Sequence, residues 1–190
     1  DMRADFTGGQ AMIARYNERQ GRPEAAETAL KKAIKFDTLF NVGRINLAHL
    51  YHNRGKNQEA IDLFKLVIKM EPQYDPAYYS LGLLYAETGD LNSAIDYLTR
   101  TININPNNLR AYYNLGLAYQ QSGDIKQAEN TFIKGLGIDG RDIDITYALV
   151  ILYVQQGSFA KANAYMPLLK SSFPDEPNII ELDNHIKQGL

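Results

Sequence analysis

The chain has 190 residues, a formal net charge of −2 and 45% hydrophobic residues, an ordinary soluble composition. No run of lysine or arginine exceeds two residues, which argues against a nucleic-acid footprint or recognition of anionic membranes. The longest apolar stretch, "YALVILYV" at 147–154, is too short to span a bilayer, and the lack of cysteine excludes disulfides, thiolate metal sites and a cysteine nucleophile.

The chain opens on Asp1 ahead of Met2, a start that fits a processed or excised piece and leaves cytoplasm and periplasm both compatible. The first predicted helix lies in "TGGQAMIARYNERQ" (7–20), and Gly8 and Gly9 near its start are expected to fray it. Pro23 and Glu24 then open a second helix, where a missing N–H costs nothing and a carboxylate suits the helix N-terminus. The same plan recurs down the chain. Gly21, Gly55, Gly89, Gly123 and Gly157 are spaced by 34 residues each time. Five residues after each stands an alanine: Ala26, Ala60, Ala94, Ala128, Ala162. Four residues before stands a tyrosine, at Tyr51, Tyr85, Tyr119 and Tyr153, with Asn17 in the first unit.

Each unit reads as a helix pair. In 109–121, Tyr112, Leu115, Leu117, Ala118 and Tyr119 follow helical period. Gly123 ends that helix, and 125–137 carries Ala128, Phe132 and Leu136 on one face. The fourth unit closes on "GLGIDGRD", whose three glycines mark an expected flexible joint. Pro167 falls inside the fifth unit's second helix, where it is expected to kink or break it. The last segment, "PNIIELDNHIKQGL" (177–190), reads as a further helix with Ile180 facing in and Glu181, Asp183, Asn184 and Lys187 facing out.

Small residues at Ala14, Ala48, Gly82 and Gly116, with the alanine column, would let two helices cross closely. Leu47, Leu81, Leu115 and Leu149 from first helices, and Leu30, Phe64, Leu98, Phe132 and Met166 from second helices, would fill the space beside them.

The stretch "AYYNLGLAYQQSGDIKQAENTFIKGL" (111–136), with its Leu-Gly, Tyr, Gly-Asp and later Ala and Phe, resembles the tetratricopeptide repeat (TPR). In that frame the chain is one domain over 1–190, with units at 7–40, 41–74, 75–108, 109–142 and 143–176 and a capping helix at 177–190. The resemblance implies an all-α, right-handed superhelical solenoid of helix-turn-helix units. Its first helices would line a concave groove that takes a peptide or helix of a partner protein. The residues expected to face that groove are Ile45, His49, Asn53, Tyr79, Leu83, Arg110, Tyr113, Leu117, Tyr147 and Ile151. The family favours asparagine at the positions of Leu83, Leu117 and Ile151. Aliphatic side chains there, beside Tyr79, Tyr113 and Tyr147, would form an apolar strip of the sort that marks an interaction site. The tyrosines also have a plainer reading, as consensus residues packing between units. Arg15, His49, Asn53 and Arg110 would orient polar or acidic groups at the rim.

Two specialised grooves of the family do not fit. Its carboxylate clamp would fall on Ala11, Arg15, Asn46, Pro76 and Ser80, of which Asn46 alone matches. Its asparagine ladder would run Met12, Asn46, Ser80, Asn114, Ala148 and is broken at three rungs. His49 and His52 lack an obvious third metal ligand, and no nucleophile elbow, phosphate loop or zinc motif is present. The expectation is a non-enzyme without cofactor or metal that binds protein, with a flanking segment of the same chain or a second copy of it as alternative occupants of the groove. The competing reading is the repeat region of a larger bacterial protein, such as a periplasmic multihaem or secretion protein, that mediates self-association or complex assembly.

Overall fold

The computed structural model describes residues 2–190, apart from the side chains of residues 3 and 4. Eleven α-helices and no strand occur among the described residues. The first pair is α1 (Met2–Arg19) and α2 (Pro23–Phe36); the second is α3 (Asn41–Asn53) and α4 (Asn57–Met70). Then follow α5 (Asp75–Glu87) with α6 (Leu91–Ile104), and α7 (Leu109–Gln121) with α8 (Ile125–Ile138). Last come α9 (Ile143–Gln155) with α10 (Phe159–Ser172), and α11 (Pro177–Gln188). The chain divides into two compact units, one ending at Leu84 and the other Tyr85–Leu190, with the division inside α5.

The 34-residue glycine column makes the hairpin corners. Gly21, Gly55, Gly89, Gly123 and Gly157 all have positive φ, between 66° and 85°, a conformation that a Cβ disfavours. Around Gly123 its own N–H donates to the Gln120 carbonyl and the Asp124 N–H to the Tyr119 carbonyl, at 3.1 and 2.9 Å. That pairing closes the orphan carbonyls at the end of α7, and it recurs at the other four corners. Asp124 then caps α8, its carboxylate accepting from the Gln127 N–H at 3.2 Å, and Asp90 caps α6 through the Ser93 N–H at 3.1 Å. The Gly-Asp pairs are therefore turn and cap chemistry. Asp124→Ala is expected to cost about 1 kcal/mol, read as a shift in the urea midpoint at unchanged slope.

The expected packing columns are all buried: the five alanines are 0% exposed, and Leu30, Phe64, Leu98, Phe132 and Met166 are at most 1% exposed. In the unit ending at Leu84, α2 packs on α1 and α3, with Ala14, Ala26, Leu30, Leu47 and Leu50 in one cluster. In Tyr85–Leu190 a larger cluster joins Phe132 of α8 to Ile145 and Leu149 of α9, Met166 of α10 and Ile186 of α11. Polar seams run beside these cores. Glu27 accepts from the Tyr51 hydroxyl (3.0 Å) and Lys31 (2.7 Å) and pairs with Arg54 at 2.8 Å. Glu129 of α8 likewise accepts from the Tyr153 hydroxyl (2.8 Å) and Lys161 (2.9 Å). The Lys161 ammonium first, and then the Tyr153 hydroxyl, hold the Glu129 carboxyl below its ordinary range.

Four expectations are revised. First, α1 runs unbroken through Gly8 and Gly9, with Ala14 buried against α2. Second, the three glycines expected to form a joint are not all in a loop: Gly135 and Gly137 lie within α8, and a Cβ on buried Gly135 would lie 2.7 Å from Ile145 Cδ1 and 3.1 Å from Tyr112 Cβ, so Gly135 is a packing device. Third, α10 is not broken at Pro167, because the proline faces solvent while Ala162, Met166 and Leu169 anchor both sides of it. Fourth, the capping helix is turned by one residue. Ile179 and Ile186 are buried, Ile180 is 48% exposed, and Asp183 lies inward at 6%. The inward carboxylate is accommodated because Lys170 and Lys187 donate to its Oδ2 at 2.8 and 2.7 Å.

Candidate functional site

In the unit ending at Leu84, the expected face lies on α3 and the start of α5. Ile45 is buried, at 8% exposure, and is a packing residue more than a contact surface. His49 and Asn53, one and two turns on, are exposed. The His49 ring meets Phe64 edge-on at 5.4 Å, and its Nε2 lies 3.3 Å from the Ser80 hydroxyl. His52 turns elsewhere, with Nδ1 2.9 Å from the Asn57 side-chain oxygen. The two imidazoles thus have separate neighbours, and no cluster of three ligating side chains forms among the described residues. Tyr79 and Leu83 are half-buried on α5.

In Tyr85–Leu190 the face is built by α7 and α9, which pack side by side. Arg110 is exposed on the first turn of α7, with Tyr113 and Leu117 half-buried one and two turns on. On α9, Tyr147 is 41% exposed and Ile151 half-buried. Tyr113 and Leu117 pack against the core cluster, yet neither is sealed within it. Gln120 Nε2 donates to Gln155 Oε1 at 2.7 Å, tying the ends of α7 and α9 together. Two helices packed against a common core hold their outward rows in a set spacing.

A cavity of about 300 Å³ opens on this face. Tyr113 and Tyr147 line it, together with Phe173 from the segment after α10 and Ile179 from α11. Its polar lining is Asp144, on the first turn of α9, with Glu176 and Asn178 at the start of α11. The Asn178 amide donates to Glu176 Oε1 at 3.2 Å. Sequence reasoning placed Tyr113 and Tyr147 and missed the rest of the lining. Phe173 was the available signal: an aromatic residue, 42% exposed, in the otherwise polar stretch "SSFPDEP" (171–177) that joins α10 to α11.

Paired helices repeated at 34 residues, with first helices that present aromatic and aliphatic rows, define an α-helical repeat protein. The chain belongs to the tetratricopeptide repeat family: a TPR repeat model matches residues 48–89 and 84–123, and a tetratricopeptide repeat model matches 9–38 and 109–142. No curated protein matches it in sequence. Among solved structures, MamA protein is similar at 25% identity and TM-score 0.73, covering 90% of this chain and 93% of its own. PilF of Pseudomonas aeruginosa superposes with TM-score 0.83 at 17% identity, covering 99% of this chain and 86% of its own. YrrB, described as a TPR protein with an unusual peptide-binding site, has TM-score 0.69 at 20% identity and covers 94% of this chain and 90% of its own. The last two likenesses speak to the fold. Proteins of this family generally mediate protein–protein interactions, and their fold is typically a non-catalytic scaffold.

Proposed function

We propose that the chain acts as a single non-enzymatic scaffold domain over 1–190, which binds a peptide or helix of a partner protein on the face of its first helices. The observation that carries this is the row on α7 and α9: Tyr147 is exposed, and Tyr113, Leu117 and Ile151 are only half-buried, so an apolar row on two packed helices keeps part of its surface open to solvent. An extended segment or amphipathic helix with apolar anchors matches such a surface. In the unit ending at Leu84, Tyr79 and Leu83 offer similar chemistry on α5, with His49 and Asn53 supplying polar groups on α3; in the other unit Arg110 does so on α7. The likeness to a peptide-binding TPR protein agrees with this reading.

The test is affinity capture from the native cells with the wild-type chain and with Tyr113→Ala/Leu117→Asn as baits. The partner's affinity is expected to fall about tenfold or more, since buried aromatic anchors carry most of an interface's energy, while far-ultraviolet circular dichroism stays the same. Undiminished binding by the variant would move the site off this face. Light scattering at several concentrations separates a heterologous partner from a second copy of the chain: mass that grows with concentration, and fails to grow in the variant, would make the occupant the chain itself.

A further inference from the structure

The cavity beside Tyr113 and Tyr147 has more chemistry than an apolar anchor requires. Three aromatic rings, those of Tyr113, Tyr147 and Phe173, line it together with two carboxylates, Asp144 and Glu176. No lysine or arginine is among its lining residues. Two other carboxylates of this unit have cationic partners within the chain, Glu129 with Lys161 and Asp183 with Lys170 and Lys187. Asp144 and Glu176 are in no ion pair among the described residues. Aromatic faces attract cations through their quadrupoles, and a nearby carboxylate adds direct charge and directional acceptors.

We infer that this cavity is a receptor for one arginine side chain of the partner polypeptide, a reading that rests on the partner-binding face proposed above. Arginine suits it better than lysine. Its planar guanidinium stacks on a ring and still presents N–H groups in plane to a carboxylate, and it gives up hydration more readily than an ammonium. The aliphatic stem would lie against Ile143 and Ile179 at the cavity wall. The partner segment would thus combine apolar anchors along α7 and α9 with one arginine at the α11 end.

The probe is Nα-acetyl-arginine N-methylamide, titrated into the full 190-residue chain while backbone amide shifts are followed by NMR, with the uncharged citrulline analogue as control. Shifts are expected to centre on Asp144, Tyr147, Phe173 and Glu176. Affinity is expected to drop about tenfold for citrulline, and equally for Asp144→Asn/Glu176→Gln titrated with the arginine probe. Equal binding of citrulline, or shifts that survive the double substitution, would overturn the assignment. Capture of the native partner separates the two readings, with Leu117→Asn standing for the face because Leu117 does not line the cavity. Loss of the partner with Asp144→Asn/Glu176→Gln supports the arginine receptor. Its retention there, alongside loss with Leu117→Asn, overturns the receptor and leaves the face in place. Retention by both variants overturns both.

Discussion

Phe132→Ala is expected to destabilise the chain by about 3–5 kcal/mol, the largest effect foreseen for a single side chain. Phe132 is 0% exposed and sits in the cluster that joins α8 to α9, α10 and α11. Its ring also occupies the space beside Gly116 of α7, where any Cβ would collide with it. Truncation therefore removes transfer energy and leaves a cavity walled by two helices that are already in contact and have little room to collapse. For a chain of this size that is roughly 6–20 °C in thermal midpoint. Repeat arrays share stability between neighbours, so amide exchange should quicken first in α7–α10 while α2 and α3 keep their protection. Phe132→Leu, which keeps most of the volume, should lose about half as much or less. Equal loss of protection in α2 and α8 would show instead that the whole chain unfolds as one cooperative body.

The second large effect concerns the capping helix and pH. Asp183→Asn is expected to cost about 2 kcal/mol at neutral pH, because the hydrogen bonds from Lys170 and Lys187 lose their charge assistance on a nearly buried acceptor. The two ammonium groups are themselves about half exposed, which keeps the figure modest. The bond from Lys170, and then that from Lys187, hold the Asp183 carboxyl below its ordinary value. A carboxyl that is more acidic folded than unfolded stabilises the fold above its unfolded value, near pH 4, and that stabilisation is lost as pH falls through the lower folded value. The wild-type midpoint should therefore decline with acid below about pH 4, and the Asn variant should show less of that decline. A variant with the same acid dependence as wild type would assign the decline to other carboxylates, Glu27 and Glu129 first, since hydrogen-bonded lysines hold both below their ordinary range. Asp183→Leu offers a separate check: it removes the buried acceptor altogether, and Lys170 and Lys187, about half exposed, return to water, so any acid dependence left belongs to other carboxylates.

Much of the fold was legible because certain positions tolerate one kind of residue only. A positive φ at each corner demands glycine, and a close helix crossing demands alanine or glycine, so both constraints appear as columns at fixed spacing. The cap was harder. Ile179 and Ile180 are adjacent, and neither alone says which faces in; Leu182 and Ile186, three and seven residues beyond Ile179, carry the signal that settles it. The single inward aspartate was illegible, since its acceptability depends on Lys170, thirteen residues earlier on another helix. Pro167 misled for a related reason: local propensity predicts a break, but tertiary burial on both sides of it overrides the missing bond. At the candidate site, helical period places Tyr113, Tyr147 and Leu117 on one face. It cannot place Asp144, Phe173 and Glu176 around a common cavity, because they converge only when α9, α11 and the linker before α11 pack together.

The helix register also constrains how such a gene can change length. The helices α3, α5, α7 and α9 begin at Asn41, Asp75, Leu109 and Ile143, each 34 residues after the last. Removal of residues 90–123 would join Gly89 directly to Asp124 and recreate a Gly-Asp corner at the seam, with the same cap waiting on the far side. Crossover between mispaired copies of the coding sequence, in whole multiples of 34 codons, would thus add or delete hairpins without creating a foreign junction.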